Sequence, residues 1–228
     1  YPKSHDEFEN ARGAAWTLSS LIFLQDTPVS KALRYRGNGG EKAGVGFGLF
    51  YSNGEFRKPA YSFLAMKRML ETPVRLACNG SDNAGFAVLA GKSENNSAVR
   101  VLISNLDSSY NQFTLILKNL PWQNRFTGCE VYVIDETHNL TLVEKTEYAP
   151  SGPITIIRPI SRSMVYLISL RAESEAERTT VTSIQTSTAS VRQGGFRLLI
   201  MAGTSTALIT IVLIAVYLRR RIQLKPQQ

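Results

Sequence analysis

The chain has little of the chemistry that metal and redox sites require. Its 228 residues include only two cysteines, Cys78 and Cys129, and two histidines, His5 and His138. Because there is no Cys-x-x-Cys pair and no Cys/His cluster, we predict no metal and no cofactor. The two cysteines are consistent either with one disulfide or with free buried thiols. The sequence also lacks a nucleotide-binding loop and a Ser/His/Asp catalytic pattern.

Acidic residues are absent from the last 50 positions. All 18 acids fall within residues 1–178, together with 20 of the 26 bases, so that part carries a net charge of only +2. The other six bases lie on the two sides of one apolar segment. Basic residues on both sides of an apolar segment are typical of the ends of a membrane-spanning segment rather than of a nucleic-acid-binding surface. We therefore predict no nucleic-acid partner.

The apolar segment runs from Leu198 to Leu218, 21 residues without a charge. As a helix it would be about 31 Å long, which matches a hydrocarbon core of about 30 Å. Three arginines, Arg219 to Arg221, follow directly. We therefore predict a single transmembrane helix that places the chain in the lipid bilayer of a cell membrane. The positive-inside bias predicts a cytoplasmic C-terminus and an extracellular or lumenal N-terminal part.

Residues 1–72 have the pattern of an α/β domain. A helical segment rich in alanine is followed by a short strand candidate at 30–36, a glycine-rich loop at 37–44 and an apolar strand candidate at 46–50. Turn residues and Pro59 then introduce a second helix, because proline suits the first helical turn. Among the acids here, Asp6, Glu7 and Glu9 are interpreted as first-turn charges of a helix.

Residues 73–171 have the pattern of an antiparallel β-sandwich. Eight short runs of strand residues recur between turn signals, with clear alternation in several of them. Asp135 and Glu136 are interpreted as a hairpin tip. Three glycosylation sequons, at Asn79, Asn95 and Asn139, fall in predicted loops of this region and fit an external glycoprotein. Residues 172–197 are polar and rich in Ser and Thr, which predicts a stalk, and 219–228 form a basic tail.

Two motifs resemble the end of a glycoside hydrolase barrel. Residues 2–6 (PKSHD) before a helix, and residues 46–49 (GFGL) before Lys58, Pro59 and Tyr61, are similar to family 39 enzymes of the β-xylosidase and α-iduronidase type. The resemblance covers about residues 1–170. It implies the last βα units of a (β/α)8 barrel in residues 1–72, followed by the accessory β-sandwich.

The resemblance also implies where the site residues lie. Retaining enzymes use two carboxylates about 5–5.5 Å apart, and by this alignment both precede Tyr1, so no catalytic residue is assigned here. The rim of the eighth barrel strand would carry Arg34, Tyr35 and Arg36. Tyr35 would stack on a sugar ring, and either arginine would bind a substrate carboxylate. The alternative is that these arginines are merely solvated.

Three functions follow. The first is the C-terminal part of a membrane-anchored, outward-facing retaining glycoside hydrolase acting on xylosides or uronides, with a carbohydrate substrate and no activity as this fragment alone. The alternative is a non-enzymatic single-pass adhesion or receptor protein whose β-sandwich binds a glycan or a protein. A barrel that has lost its carboxylates and only binds glycans is a third possibility.

Overall fold

The computed structural model describes residues 8–34, 37, 48–122, 124–150 and 152–173. The chain divides into two compact units, residues 1–174 and 175–228, and all the described residues belong to the first. The described residues form two helices, α1 (Ala11–Leu24) and α2 (Lys58–Arg68), with a 3-10 turn at Met69–Glu71. The strands are β1 (Val74–Leu76), β2 (Phe86–Lys92), β3 (Ala98–Asn105), β4 (Gln112–Leu117), β5 (Thr127–Ile134), β6 (Asn139–Tyr148), β7 (Ile154–Pro159) and β8 (Met164–Ala172). Each strand overlaps one of the eight predicted runs.

Helix α1 begins where a side chain can satisfy its free N–H groups. The Oδ1 of Asn10 accepts hydrogen bonds from the backbone N–H of Arg12 at 2.9 Å and of Gly13 at 3.4 Å. Such a cap stabilises a helix by about 1 kcal/mol. Leu18 and Ile22, one turn apart on the same face, are both buried. The helix therefore presents a continuous apolar stripe to the rest of the fold.

Helix α2 packs beside α1. Pro59 lies in its first turn as the sequence predicts, and Lys67 and Arg68 lie in its last turn, where they complement the helix dipole. The hydroxyl of Ser62 donates a hydrogen bond of 2.8 Å to the carbonyl oxygen of Ala14. Because Ser62 and Ala14 are both fully buried, this bond fixes the two helices at close approach.

The strands form one large sheet and one small sheet. The six-stranded sheet has the order β1-β2-β3-β8-β5-β6, and β4 pairs only with β7. Every pairing is antiparallel. At the centre of the large sheet, Leu102 of β3 lies opposite Leu167 of β8. Helix α1 lies against β2, β3 and β8 near the centre of the sheet, and α2 lies against β5 and β6 towards one edge.

The large sheet is buried on both faces, which gives three layers. One face packs against β4 and β7 around Phe113, Ile154 and Ile156. The other face, including Leu102 and Leu167, packs against the two helices. This explains why β2, β3 and β8 read as nearly continuous apolar runs instead of strictly alternating ones.

Glycine is required at one point of the helix–sheet contact. A methyl group on Gly91 of β2 would overlap with the backbone carbonyl oxygen of Thr72. The segment that follows α2 therefore lies directly against the sheet at this strand. Only a residue without a side chain allows that approach.

The predicted fold class is wrong for the residues before the sandwich. Residues 30–34 have no regular structure, and of residues 48–50 only Phe50 pairs, in an isolated bridge with Phe56. Residues 46 and 47 of the predicted strand lie outside the described residues. The ring of Phe50, the last residue of that predicted strand, packs on Phe56 at 5.2 Å, and Phe56 packs on Tyr61 at 5.6 Å. The described part of the chain is thus two helices on a sheet-rich fold, and it contains no barrel strand.

The predicted single transmembrane helix is also corrected. Neither helix of the described ranges is long and apolar enough to cross a membrane. The segment from Leu198 to Leu218, the stalk and the basic tail lie outside the described residues.

Candidate functional site

Of the three predicted site residues, the structure describes only Arg34. Tyr35 and Arg36 lie outside the described residues, as does most of the glycine-rich loop that follows them. The Nη1 of Arg34 donates to the Thr17 hydroxyl oxygen of α1 at 3.3 Å. Partial burial lowers the pKa of this guanidinium from its ordinary value. A partly desolvated cation gains more from an anionic partner than one in bulk water does.

Arg34 lies at an apolar groove of about 490 Å³ between α1 and the segment that follows it. Its other main wall residues are apolar or aromatic: Phe8, Trp16, Leu21, Leu24, Leu33 and Phe63. Trp16 is 42 % exposed and contacts Phe8 edge to face, with the ring centroids 6.2 Å apart. Exposed aromatic rings beside a guanidinium are suited to a sugar ring that carries an acidic group.

A buried ion pair joins the beginnings of the two helices. The carboxylate of Glu9 accepts from the Arg57 guanidinium, and their side chains are only 7 % and 0 % exposed. The Arg57 guanidinium also lies over the Tyr51 ring, 4.5 Å from its centroid. The backbone N–H of Lys58 donates to the Glu9 carbonyl oxygen at 3.2 Å. Glu9 is therefore committed to holding the helix pair together, not to catalysis.

The aspartates of the described residues are held in their charged forms. The Arg12 guanidinium, bound to Asp107 at 2.7 Å, lowers the pKa of that carboxyl group. At Asp82, burial raises the pKa, but hydrogen bonds from Ser108 and the backbone outweigh it and the net shift is downward. A general acid needs a raised pKa, so neither carboxyl group suits that role.

Asp135 lies at the hairpin tip between β5 and β6, as interpreted from the sequence. Its Oδ1 accepts from the backbone N–H of Thr137 and of His138, each at 2.8 Å. Burial raises its pKa, but these bonds and that of the His138 ring leave the net shift downward. The carboxylate thus stabilises the turn, which is the structural role expected of it.

The remaining reactive side chains do not assemble a site. Within the described ranges there is no group of three or more His, Cys, Asp or Glu residues that could hold a metal ion. The two cysteines are free thiols, Cys78 exposed and Cys129 buried in the sandwich core. Burial raises the pKa of the Cys129 thiol to about 11, so it is an inert core residue.

The fold is similar to part of several solved glycosidase structures. The structure is similar to a glucosidase from Croceicoccus marinus, with a TM-score of 0.64 and 23 % identity over 73 % of this chain and 43 % of that one. A monomeric β-xylosidase from Caulobacter crescentus gives a TM-score of 0.60 at 11 % identity, over 76 % of this chain and 44 % of the other. A GH39 enzyme from Xanthomonas axonopodis pv. citri gives 0.56 at 12 %, over 76 % and 43 %.

The chain spans less than half the length of these three structures. No protein-family model matches the sequence, and no curated protein matches it either. At these low identities the likeness establishes the fold alone.

Sequence reasoning missed two features of the site. The groove depends on Phe8, which precedes α1, and on Trp16, which is exposed because α1 packs on the sheet by its other face. The Glu9–Arg57 pair joins residues 48 positions apart, and no local pattern indicates it. An exposed tryptophan on a helix rich in alanine was the one available signal.

Proposed function

We propose that this chain is the C-terminal part of a retaining glycoside hydrolase of the family 39 type, acting on xylosides or uronides. In this proposal the two catalytic carboxylates belong to a longer protein and lie outside the sequence described here. The residues described here supply the helices and the sandwich that support the site. Arg34, Tyr35 and Arg36 supply contacts to the sugar.

The observation that carries the proposal is the fold likeness to three glycosidases over about three quarters of the chain. The similarity extends beyond the β-sandwich. The part of this chain that matches the solved structures is longer than the segment that contains the eight strands and their loops. The motifs at residues 46–49 and at Lys58 and Pro59 add an independent resemblance in sequence. Together they favour a glycosidase part over an unrelated adhesion module.

The Arg34 groove supports the choice of substrate class. Its guanidinium is partly desolvated and lies beside Trp16 and Phe8. Such a group binds a carboxylate with two parallel hydrogen bonds, which a xyloside cannot offer. A uronide is therefore the better fit to Arg34, and a neutral pentoside would use the aromatic surface alone.

The test uses the longest protein that contains this chain, assayed on aryl β-xyloside, aryl β-glucoside and aryl uronides. We expect hydrolysis of at least one substrate with retention of anomeric configuration. For an active uronide, Arg34→Gln should raise KM about tenfold with little change in kcat, because it removes binding common to the ground and transition states. Arg162→Gln, an exposed arginine on the β7–β8 turn, is the matched control.

The result against the proposal would be a folded protein that hydrolyses no aryl glycoside of the panel. That result would favour the alternative, a non-enzymatic binding protein. One observation supports this alternative, since the sandwich has a pocket of its own.

A further inference from the structure

A second pocket opens at one end of the sandwich, apart from the Arg34 groove. Its volume is about 390 Å³, within the usual range of small-molecule sites. It lies between the described residues of the β4–β5 connection, 118–122 and 124–126, and those of the β6–β7 connection, 149, 150, 152 and 153. The two connections lead into β5 and β7, so strands of both sheets support the pocket.

The floor of the pocket is apolar and fixed. Trp122 is only 6 % exposed, and its Nε1 donates a hydrogen bond of 2.8 Å to the Thr127 hydroxyl oxygen. Leu120 and the buried Ile154 complete the floor, and Pro150 and Pro153 form an exposed apolar wall. The proline rings offer an apolar surface against which a sugar ring can pack, and the anchored indole of Trp122 supports this surface from below.

The rim of the pocket is polar and positively charged. Lys118 and Arg125 are exposed, and the described residues that line the pocket include no acidic side chain. Arg125 donates a long bond of 3.4 Å to the Glu173 backbone oxygen, which does not neutralise its charge. A ligand entering here meets two cations and would be favoured by a negative charge of its own.

Two amide side chains complete the rim. Asn119 and Asn124 both have left-handed backbones, with φ of 55° and 68°, and both line the pocket. Asparagine tolerates this conformation better than most residues, although glycine does so at no cost. An amide offers both a donor and an acceptor, which matches the hydroxyl groups of a sugar.

We propose that this pocket binds an anionic sugar unit of a glycan, a uronate or a sulfated sugar, independently of hydrolysis. Lys118 and Arg125 hold the carboxylate or sulfate, Asn119 and Asn124 bond the hydroxyl groups, and the prolines with Trp122 carry the apolar face of the ring. This is a binding site on the sandwich, so it goes beyond the proposed hydrolase activity. It predicts that the chain attaches to acidic polysaccharide.

The test is isothermal titration of the full chain with three oligosaccharides of equal length, one neutral, one uronate and one sulfated. We expect at least tenfold tighter binding of one acidic form than of the neutral one, weakening as salt rises. Lys118→Gln combined with Arg125→Gln should remove that preference. The double variant Lys67→Gln with Lys92→Gln changes the net charge equally, on α2 and β2, and should leave binding unchanged.

Asn119→Gly and Asn124→Gly test the sugar contacts without backbone strain, because glycine adopts the same φ. Each should weaken binding of the preferred oligosaccharide about threefold or more. Whether the uronate or the sulfated form binds tighter identifies the source of the anion. The proposal is overturned if the neutral oligosaccharide binds as tightly, if inorganic sulfate competes at the affinity of the sugar, or if the control pair weakens binding as much.

Discussion

The packing of α1 on the sheet predicts that Leu18 contributes strongly to the stability of the fold. This side chain is fully buried between the helices and the large sheet, in the cluster that contains Leu102 and Leu167. Replacing a buried leucine by alanine loses the transfer free energy of the removed atoms and leaves a cavity, at a cost of about 2–5 kcal/mol. We therefore expect Leu18→Ala to lower the free energy of unfolding by that amount, and Tm by about 4–20 °C.

The two tryptophans allow the measurement to be made in each layer separately. Trp16 reports on α1 and Trp122 on the sandwich, since they are the only tryptophans of the chain. Urea unfolding is followed by fluorescence in the Trp16→Phe and Trp122→Phe backgrounds. If the helices and the sheet form one cooperative unit, Leu18→Ala shifts both transitions to the same lower midpoint.

The control is Leu70→Ala, the same change at a side chain that is 75 % exposed. We expect it to alter stability by less than about 0.5 kcal/mol, as surface substitutions usually do. The three-layer packing would be refuted if Leu18→Ala cost no more than this control. It would also be refuted if the Trp16 transition moved while that of Trp122 stayed in place.

Three further predictions follow from single contacts. In the native protein we expect Cys78 to react with an iodoacetamide reagent. Cys129 should react only in denaturant, because it is buried and its pKa is raised. Two reactive thiols in the native protein would contradict the placement of Cys129 in the core. The pKa of Asp107 is lowered by Arg12, so its contribution to stability is present above about pH 4 and is lost as pH falls through the folded pKa. Arg12→Ala should raise that pKa in an NMR titration and flatten the acid side of the stability profile; an unchanged pKa would exclude the pair. Gly91→Ala should lower Tm more than an alanine substitution at an exposed strand position, because its methyl group would meet the backbone carbonyl beside it; an equal effect would show that the segment yields without cost.

The strands were the most predictable part of the fold. All eight strands overlap runs that were identified from alternation and turn residues. This succeeds because the alternation of apolar and polar residues in a strand has a period of two and involves only adjacent positions. The helix start at Pro59 and the turn at Asp135 were equally local. The candidate site was less accessible to sequence reasoning, since the aromatic wall that Phe8 and Trp16 form depends on how α1 packs on the sheet.

The segment before the sandwich was misread for a physical reason. The run that ends at Phe50 is apolar enough for a buried strand, but Phe50 pairs only in an isolated bridge with Phe56 and packs its ring against that residue. An apolar run of five residues does not say which kind of partner will bury it. Here the ring of Phe50 is covered by Phe56, only six residues further along the chain.

The sequence by itself determined the local elements of this protein, namely the strands, the helix that begins at Lys58 and Pro59, and the hairpin turns. Each of these elements depends on the conformational preferences of adjacent residues. Tertiary structure alone decided that the two helices cover one face of the sheet, that Glu9 and Arg57 meet out of water, and that two loops enclose a cationic pocket. These features join residues tens of positions apart, and their free energy comes from burial and charge proximity that exist only once the layers have packed.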